Sequence, residues 1–237
     1  MAEADSPRIT VTPNGPYRVT GSVRLVPRTI VSDDDDFSVE WGEGEPYVTE
    51  AVYDLCRCGG SKTAPFCDHV CEENGFDGTE TASRKPYLEQ ADEEVGPNLV
   101  LTDAEDLCAY ARFCDPGGQI WNLVQEDDDS SVALAIREGK LCPSGRLVTW
   151  DKETRAQNED DDEPSIGVVQ DPTEGCSGPL AVRGGIPVVG ADGFEYEVRN
   201  RQTLCRCGTS ENKPFCNGSH AAIRFQDGQA HRGVVGA

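Results

Sequence analysis

The sequence predicts an α+β fold that is rich in β-strands and contains two copies of one cysteine-bearing unit with a smaller module between them. The first observation is an internal repeat, in which GPYRVTGSV at 15–23 reappears as GPLAVRGGI at 178–186. The second is a repeat of the cysteine segments, since LCRCG and PFC, which begin at 55 and 65, return at 204 and 214. Internal repetition of this kind indicates one structural unit used twice.

Each copy is predicted to form a short strand, a glycine turn and a second strand, followed by a cysteine loop. The first copy carries an additional acidic loop of about fourteen residues before its cysteines, marked by the Asp33 to Asp36 run and by several glycine and proline breakers. In the second copy, a turn at 191–193 separates Val188-Val189 from an alternating stretch at 194–198, which predicts a hairpin.

The segment between the copies has a different character. Thr102 to Glu105 matches a capping box and is followed by residues at helical spacing as far as Cys114, so a helix is predicted there. A second helix is predicted from Ser130 to Glu138, closed by Gly139. We therefore divide the chain into a first unit at 1–84, a small α/β insert with an acidic linker at 85–175, and a second unit at 176–237.

Composition limits the core and the kinds of partner. Hydrophobic residues make up 37% of the chain, which is low for a single large core in 237 residues. The formal charge of -22 excludes general nucleic-acid binding, because contact with phosphates needs a cationic surface, and it disfavours acidic membranes for the same reason. The acidic runs are typical of solvated loops or of a surface adapted to high salt, and we favour salt adaptation.

The sequence also bears on location and on the state of its cysteines. No stretch reaches the roughly 18 uninterrupted apolar residues of a membrane-spanning helix, and MAEADSPRIT at the start has no basic or apolar leader region. We therefore expect a cytoplasmic protein without a membrane partner. In a reducing compartment, the 11 cysteines, an odd number, are expected to be metal ligands or redox groups rather than a disulfide framework.

The cysteine loop of the second copy has the spacing C-x-C-x8-C-x3-H. Its four members are Cys205, Cys207, Cys216 and His220. Three thiolates and one imidazole suit zinc or an iron-sulfur cluster. A single residue between the first two cysteines is short for a zinc site, where two to four are usual, so the spacing favours a cluster. A zinc-stabilised interaction module remains an alternative.

This loop resembles the CDGSH iron-sulfur domain of the mitoNEET-like family, whose signature is C-x-C-x2-[ST]-x3-P-x-C-D-G-[SAT]-H. Four further positions match that signature: Ser210, Pro214, Gly218 and Ser219. The one departure is Asn217, which replaces the aspartate. The resemblance implies a 2Fe-2S cluster, with the first two cysteines on one iron and the third cysteine and the histidine on the other.

The resemblance also implies an arrangement for the whole chain. Single-unit members of the family are homodimers in which β-strands form a shared cap above the cluster loops. Two copies in one chain are expected to form that cap internally, as a monomer with a pseudo-two-fold, and a homodimer is the alternative. Backbone amides in each loop are expected to point at sulfur.

The first copy follows the signature as far as Asp68 and then diverges, since CDGSH has become CDHVC. Cys71 occupies the place of the histidine, and His69 is the less suitable ligand because it follows Cys67 by only two residues. The implied 2Fe-2S ligands are Cys56, Cys58, Cys67 and Cys71, and the alternative is a degenerate site that binds no cluster. A thiolate in place of an imidazole makes the site more negative, so we predict that the first site has the lower potential and that the two sites form a donor and acceptor pair.

The insert contains Cys108-x5-Cys114 and later Cys142 in the sequence CPSG. This pattern is similar to that of divergent single-cluster ferredoxins and implies that the three cysteines bind a 3Fe-4S or 4Fe-4S cluster. Ala111 stands where those ferredoxins often carry a fourth ligand, and nothing in the spacing of Cys176 requires it to replace that ligand. The alternative is a spacer in which Cys108 and Cys114 are buried residues of a helix.

These patterns predict an electron carrier that acts with a redox protein partner and turns over no substrate. One alternative is a protein that stores, transfers or senses iron-sulfur clusters, and another is the zinc-stabilised module. Three arginines lie near the start of the second site: Arg199, Arg201 and Arg206. We expect one of three roles for them: to offset the cluster charge, to form a docking patch, or to face solvent as ordinary strand residues.

Overall fold

The computed structural model describes residues 6–229. Strands account for 30% of the structure and helices for 15%, so the predicted β-rich α+β class is confirmed. In chain order, the strands are β1 (Arg8–Val11), β2 (Tyr17–Thr20), β3 (Arg24–Ser32), β4 (Ser38–Glu43), β5 (Val52–Leu55), β6 (Asp92–Val95), β7 (Leu99–Asp103), β8 (Leu147–Asp151), β9 (Ser165–Asp171), β10 (Cys176–Arg183), β11 (Val188–Val189) and β12 (Arg201–Leu204). The α-helices are α1 (Ile120–Leu123), α2 (Asp129–Leu141) and α3 (Ser219–Ala222). Short 3-10 turns lie at Val70–Glu72, Tyr87–Glu89, Glu105–Leu107 and Pro116–Gly118.

The two cysteine units exchange strands. One sheet has the order β11-β1-β2-β5, and the other has the order β12-β10-β9-β3-β4. The second unit contributes β11, which pairs in parallel with β1, and the first unit contributes β3, which pairs in parallel with β9. The other pairings in both sheets are antiparallel. Strand β9 lies within the 85–175 segment but forms part of the second of these sheets.

One apolar core joins both sheets. It contains buried residues from every strand of the first sheet and from β3, β9, β10 and β12 of the second, together with Val148 of β8. Tyr17 lies in this core, and its hydroxyl donates to the carbonyl oxygens of Cys205 at 2.8 Å and Pro214 at 2.9 Å. Because a buried tyrosine needs a partner for its hydroxyl, this residue of the first unit is tied to the cysteine loop of the second.

The predicted hairpin of the second copy is present but short. Backbone N–H groups of Gly190 and Tyr196 donate to the carbonyls of Phe194 at 2.7 Å and Val188 at 3.0 Å, on either side of an antiparallel bridge between Val189 and Glu195.

The insert forms the antiparallel sheet β6-β7-β8, with α2 packed against β8. The helix predicted after Thr102 is wrong, because β7 runs through Thr102 and its buried hydroxyl is within hydrogen-bond distance of Tyr87 Oη at 2.9 Å. A continuous helix is also blocked at Tyr110 and Arg112, whose φ angles are 54° and 59°.

The second predicted helix is confirmed and is longer than expected. Helix α2 begins after Asp128, whose carboxylate accepts hydrogen bonds from the backbone N–H groups of Ser130 and Ser131. Gly139 lies inside the helix rather than at its end. None of the helices within residues 6–229 combines the length and the apolar character that crossing a membrane requires.

Candidate metal centres

The cysteine loop of the second unit closes back onto β12. The backbone N–H of Cys205 donates to the carbonyl of Pro214, and that of Cys216 donates to the carbonyl of Thr203, both at 2.9 Å. This ladder places Cys216 beside the strand that leads into Cys205. The CDGSH-like segment then turns into α3, which carries His220.

The predicted ligands of this loop lie in two pairs. The Sγ atoms of Cys205 and Cys207 are 3.7 Å apart, and Cys216 Sγ is 3.4 Å from His220 Nδ1. Two ligands bound 2.3 Å from one tetrahedral metal are about 3.8 Å apart, so each pair has a spacing suited to one metal ion. Thiolate and imidazole donors arranged in two such pairs fit an iron-sulfur cluster.

Hydrogen bonds to sulfur accompany this pairing. The backbone N–H of Gly218 donates to Cys216 Sγ at 3.4 Å, and the Thr209 hydroxyl lies 3.2 Å from Cys207 Sγ. Asn217, the departure from the signature, accepts a hydrogen bond from the Ser219 hydroxyl at 2.6 Å through its side-chain oxygen. An aspartate would offer the same acceptor, so the substitution keeps the local structure.

The electrostatic environment favours the metal-binding forms of two side chains. Burial lowers the pKa of His220 to about 4, and the charge of Arg206 acts in the same direction. The imidazole is thus neutral, as a metal ligand must be. A hydrogen bond from the Cys205 thiol lowers the pKa of Cys207, so one thiolate of this pair forms readily. Burial raises the pKa of Cys216 to about 12, which a bound metal would reverse.

The first loop repeats the same arrangement with different residues. Cys56 Sγ and Cys58 Sγ are 3.7 Å apart, as in the second loop. Cys67 and Cys71 lie close enough for a hydrogen bond between their thiols. The side chain of His69 is exposed, and its Nδ1 is 3.2 Å from Glu72 Oε1. The structure therefore brings Cys71, rather than the His69 ring, beside Cys67.

The two loops meet through their backbones. Cys58 and Cys207 form an isolated antiparallel bridge. A methyl group on Gly59 would lie 2.6 Å from the carbonyl oxygen of Cys207, and one on Gly208 would lie 2.6 Å from that of Cys58. Both glycines also have positive φ angles, of 77° and 83°. Only glycine allows this approach without strain.

The three cysteines of the insert line one recess, and Cys176 is not among the described residues that line it. Cys108 and Cys114 lie in an irregular loop, so the alternative that places them on a helix is wrong. Burial raises the pKa of Cys114, and the neighbouring carboxylate of Asp115 adds to this effect. Cys176 lies apart in β10, where burial raises its pKa to about 11.

Arginines hold these loops in place. Arg201 and Arg206 are each only 3% exposed, so the interpretation as solvent-facing strand residues is wrong for both. Arg201 donates to the carbonyl oxygens of Cys142 and Gly139. Arg199 donates to the carbonyl oxygen of Ser144 at 3.0 Å. The CPSG loop of the insert is thus anchored on the strand and loop that precede the second cysteine site.

Comparison with known families agrees with this organisation. The family described as "Iron-binding zinc finger CDGSH type" matches residues 14–70 and 177–221, and the family described as "Divergent 4Fe-4S mono-cluster" matches residues 95–152. No curated protein and no solved structure matches the chain significantly. Of the two CDGSH matches, the one at 14–70 ends just before Cys71, where the signature is lost, and the one at 177–221 includes His220. The chain therefore contains two segments that match the iron-binding CDGSH family and, between them, a segment that matches the divergent 4Fe-4S mono-cluster family.

Proposed function

We propose that this protein is an electron carrier that holds one 2Fe-2S cluster in each CDGSH-type loop and a third cluster, 3Fe-4S or 4Fe-4S, in the insert. The observation that carries the proposal is the pairing of donor atoms, at 3.7 Å between the sulfurs of Cys205 and Cys207 and at 3.4 Å between Cys216 and His220. A bound cluster supplies a centre that gains and loses one electron. The partner is a redox protein.

The ligand assignments follow the pairs. In the second loop, Cys205 and Cys207 bind one iron, and Cys216 and His220 bind the other. In the first loop, the pairs are Cys56 with Cys58 and Cys67 with Cys71. Cys108, Cys114 and Cys142 bind the cluster of the insert. The protein's own part is to hold these donors, to direct amides such as that of Gly218 at sulfur, and to keep water away by burial.

The contacts between loops support electron transfer within the chain. The first and second loops touch at the bridge between Cys58 and Cys207. The second loop also touches the insert, since a methyl group on Gly218 would lie 3.3 Å from the carbonyl oxygen of Cys108. The second loop therefore contacts both the first loop and the insert, and we propose that electrons pass through its site.

We also propose that the two units are related by a pseudo-two-fold and that the protein is a monomer. The reciprocal parallel pairs, β11 with β1 and β3 with β9, support this arrangement, as do the reciprocal contacts of Gly59 and Gly208. These are the contacts that two chains would share in a homodimer of single units, and here they are made within one chain.

The deciding experiment is iron and sulfide quantitation, with EPR spectroscopy, on protein purified without oxygen. About seven or eight irons per chain would support all three clusters, and about four would limit the proposal to the two CDGSH-type loops. A colourless protein that contains zinc would overturn the proposal in favour of the zinc-stabilised interaction module.

Cluster storage or transfer is the second candidate, and the observation that favours it is His220, the one nitrogen donor among the proposed ligands. Protons compete with metal for an imidazole, so a histidine-ligated cluster is released in acid more readily than a thiolate-ligated one. Transfer of the cluster to an apo-acceptor, at a rate that acid increases and that His220→Cys abolishes, would favour this candidate over an electron carrier.

A further inference from the structure

Two side chains in the recess of the insert lie beside its cysteines and can donate hydrogen bonds to sulfur. The lining of this recess includes all three cysteines of the insert, together with Ser144 and Arg146. Hydrogen bonds to the sulfurs are one of the factors that set the potential of an iron-sulfur cluster. Such a bond stabilises the reduced, more negative form of a cluster, so it raises the potential.

Ser144 lies beside Cys142. Its side-chain oxygen is 3.6 Å from Cys142 Sγ, and the residue is only 1% exposed. The same oxygen accepts a hydrogen bond from the backbone N–H of Arg146 at 3.2 Å. A hydroxyl has one proton to donate and a thiolate has none, so the serine is the donor when Cys142 is a thiolate. Ser144 therefore offers a proton to a proposed ligand.

Arg146 lies beside Cys108, and two further residues hold its guanidinium in place. Nε and Nη2 of Arg146 donate to the two carboxylate oxygens of Asp103, at 2.5 Å and 2.8 Å. The indole N–H of Trp121 donates to the same carboxylate at 3.1 Å, and the Trp121 ring lies 5.6 Å from the guanidinium. Hydrogen bonds to Asp103 raise the pKa of Arg146, and the Cys108 thiolate, within hydrogen-bonding range of the guanidinium, adds to this effect. Since a guanidinium has five N–H groups, others remain for the sulfur.

The other charged groups at the recess act in both directions. The guanidinium of Arg146 and its carboxylate partner carry no net charge together, and Arg112, which also lines the recess, is paired with Asp171 at 2.8 Å. Asp115 has the opposite effect to the two donors, because its Oδ1 is 3.8 Å from Cys114 Sγ and its negative charge favours the oxidised form. The contribution of the donors is therefore measured with variants that leave Arg112 and Asp115 in place.

Cys108 also lies at the contact between the insert and the second loop. A methyl group on Gly218 would lie 3.3 Å from the carbonyl oxygen of Cys108. Burial raises the pKa of Cys216, and the thiolate charges of Cys207 and Cys108 add to this effect, so the sulfurs of the two sites are close enough to interact. On the proposed route, an electron from the second site thus enters the insert beside Arg146.

We infer that Ser144 and Arg146 are positioning residues for the insert cluster. They direct hydrogen bonds at the sulfurs of Cys142 and Cys108, raise the potential of the insert, and so favour electron transfer into it from the second site. In this step the second site loses one electron and the insert gains it, and no bond forms or breaks. The inference rests on the proposed function, because it needs a cluster in the insert.

The test is an EPR-monitored redox titration of the cluster-loaded protein, followed on the signal of the insert cluster. Ser144→Ala removes the donor to Cys142 and is expected to lower the midpoint potential of the insert. At a fixed potential, the ratio of reduced to oxidised insert cluster should fall at least threefold, or about 28 mV, since tenfold is about 59 mV for one electron. The matched control is Ser38→Ala, which removes an equally buried hydroxyl without a hydrogen-bond partner among the described residues. It should leave the insert potential unchanged.

A double variant tests the arginine without changing the local net charge. Arg146→Met combined with Asp103→Asn removes the ion pair and the donor to Cys108, and it is expected to lower the insert potential by a similar factor. The matched control is Arg155→Met combined with Glu93→Gln, which removes an exposed pair of the same insert, with 2.7 Å between its charged atoms. This control should leave the insert potential unchanged.

A second readout detects the hydroxyl proton directly. Pulsed EPR of the insert cluster in its paramagnetic state is expected to show a coupled proton that exchanges in D2O. This proton should be missing in Ser144→Ala and present in Ser38→Ala. Because Ser144→Ala removes a single oxygen atom, it remains decisive if the double variant does not fold, and a coupling that persists in Ser144→Ala would contradict the inference.

The outcomes separate the inference from the proposed function. With three clusters bound, an unchanged insert potential in Ser144→Ala or in the double variant would overturn the role of the residue that the variant removes, and would leave the electron carrier in place. About four irons in the wild-type protein would instead overturn the third cluster, and the inference with it.

Discussion

At the scale of single residues, Glu138 is a buried carboxyl group whose two oxygens have no hydrogen-bond partner among the described residues. Burial, with the nearby Asp115 carboxylate, raises its pKa to about 8 from an ordinary value of 4.5. The folded state therefore holds this proton more tightly than the unfolded chain does. The resulting stability is fully present below pH 4.5 and is lost as the pH rises towards 8.

Replacing Glu138 with Gln removes this titration. We expect the free energy of unfolding to fall less between about pH 5 and pH 8 in Glu138→Gln than in the wild type, with a difference of about 3 kcal/mol. Urea unfolding at the two pH values measures it. The exposed Glu89→Gln, which makes the same charge change, should keep the wild-type slope. Equal slopes in Glu138→Gln and the wild type would contradict the prediction.

At the scale of elements, the contact between the two cysteine loops depends on glycine. In Gly59→Ala, the new methyl group would lie 2.6 Å from the carbonyl oxygen of Cys207, in addition to the strain of a positive φ. Gly193 has a similar φ of 86°, but a methyl group there would meet nothing within 4 Å.

Comparison of these two variants isolates the contact between loops. We expect Gly59→Ala to reduce the free energy of unfolding by about 1–3 kcal/mol more than Gly193→Ala does, because backbone must shift to admit the methyl group. Thermal unfolding of the two variants, followed by circular dichroism, provides the measurement. Equal losses would mean that the loops do not press together as the structure indicates.

The contact that attaches the insert to the second unit is also made between elements. Arg201 of β12 pairs with Glu159, with 2.8 Å between Nε and Oε2, and donates to the Cys142 carbonyl. Arg201→Gln is expected to cost about 3–5 kcal/mol, since it leaves a buried pair broken, and to weaken the EPR signal of the insert cluster more than that of the second site.

The control for Arg201→Gln is Arg24→Gln, which breaks an exposed pair with Glu43 at 2.6 Å. Exposed pairs contribute less than about 1 kcal/mol, so this variant should unfold nearly as the wild type does and keep all its cluster signals. An unchanged insert signal in Arg201→Gln would show that the arginine does not position Cys142.

At the scale of the whole molecule, the net charge of -22 favours expansion through self-repulsion, which salt screens. We expect the Tm to rise as KCl is raised from about 0.1 M to 1 M, where the Debye length is about 3 Å. Differential scanning calorimetry of the cluster-loaded protein measures it. A flat or falling Tm would contradict salt adaptation.

A variant of the acidic loop between β3 and β4 tests whether surface charge is the cause. Asp34, Asp35 and Asp36 are exposed, while Asp33 accepts the hydrogen bonds that form the turn, at 3.0 Å and 2.9 Å. Asn at 34, 35 and 36 removes three charges and keeps the turn. We expect its Tm to depend less steeply on KCl than that of the wild type.

Local patterns were reliable where neighbours along the chain determine the structure. The helix predicted from Ser130 to Glu138 lies within α2 because helical propensity and spacing act within a few residues. Thr102 shows the limit of such patterns. Thr102 matches a capping box, but it lies in a strand because β7 pairs with β8 and its hydroxyl contacts Tyr87. Neither β8 nor Tyr87 is close to Thr102 along the chain.

The sequence by itself determined the repeat, the β-rich class and the two CDGSH-type segments, because these depend on which residues recur and at what spacing. Only the tertiary structure decided how the units combine: strands exchanged between units, Cys58 against Cys207, and the insert anchored by Arg201. It alone also brought the carboxylate of Asp103 to within 2.5 Å of Arg146, which follows it by 43 residues. Charge acts through space, so its balance depends on the fold.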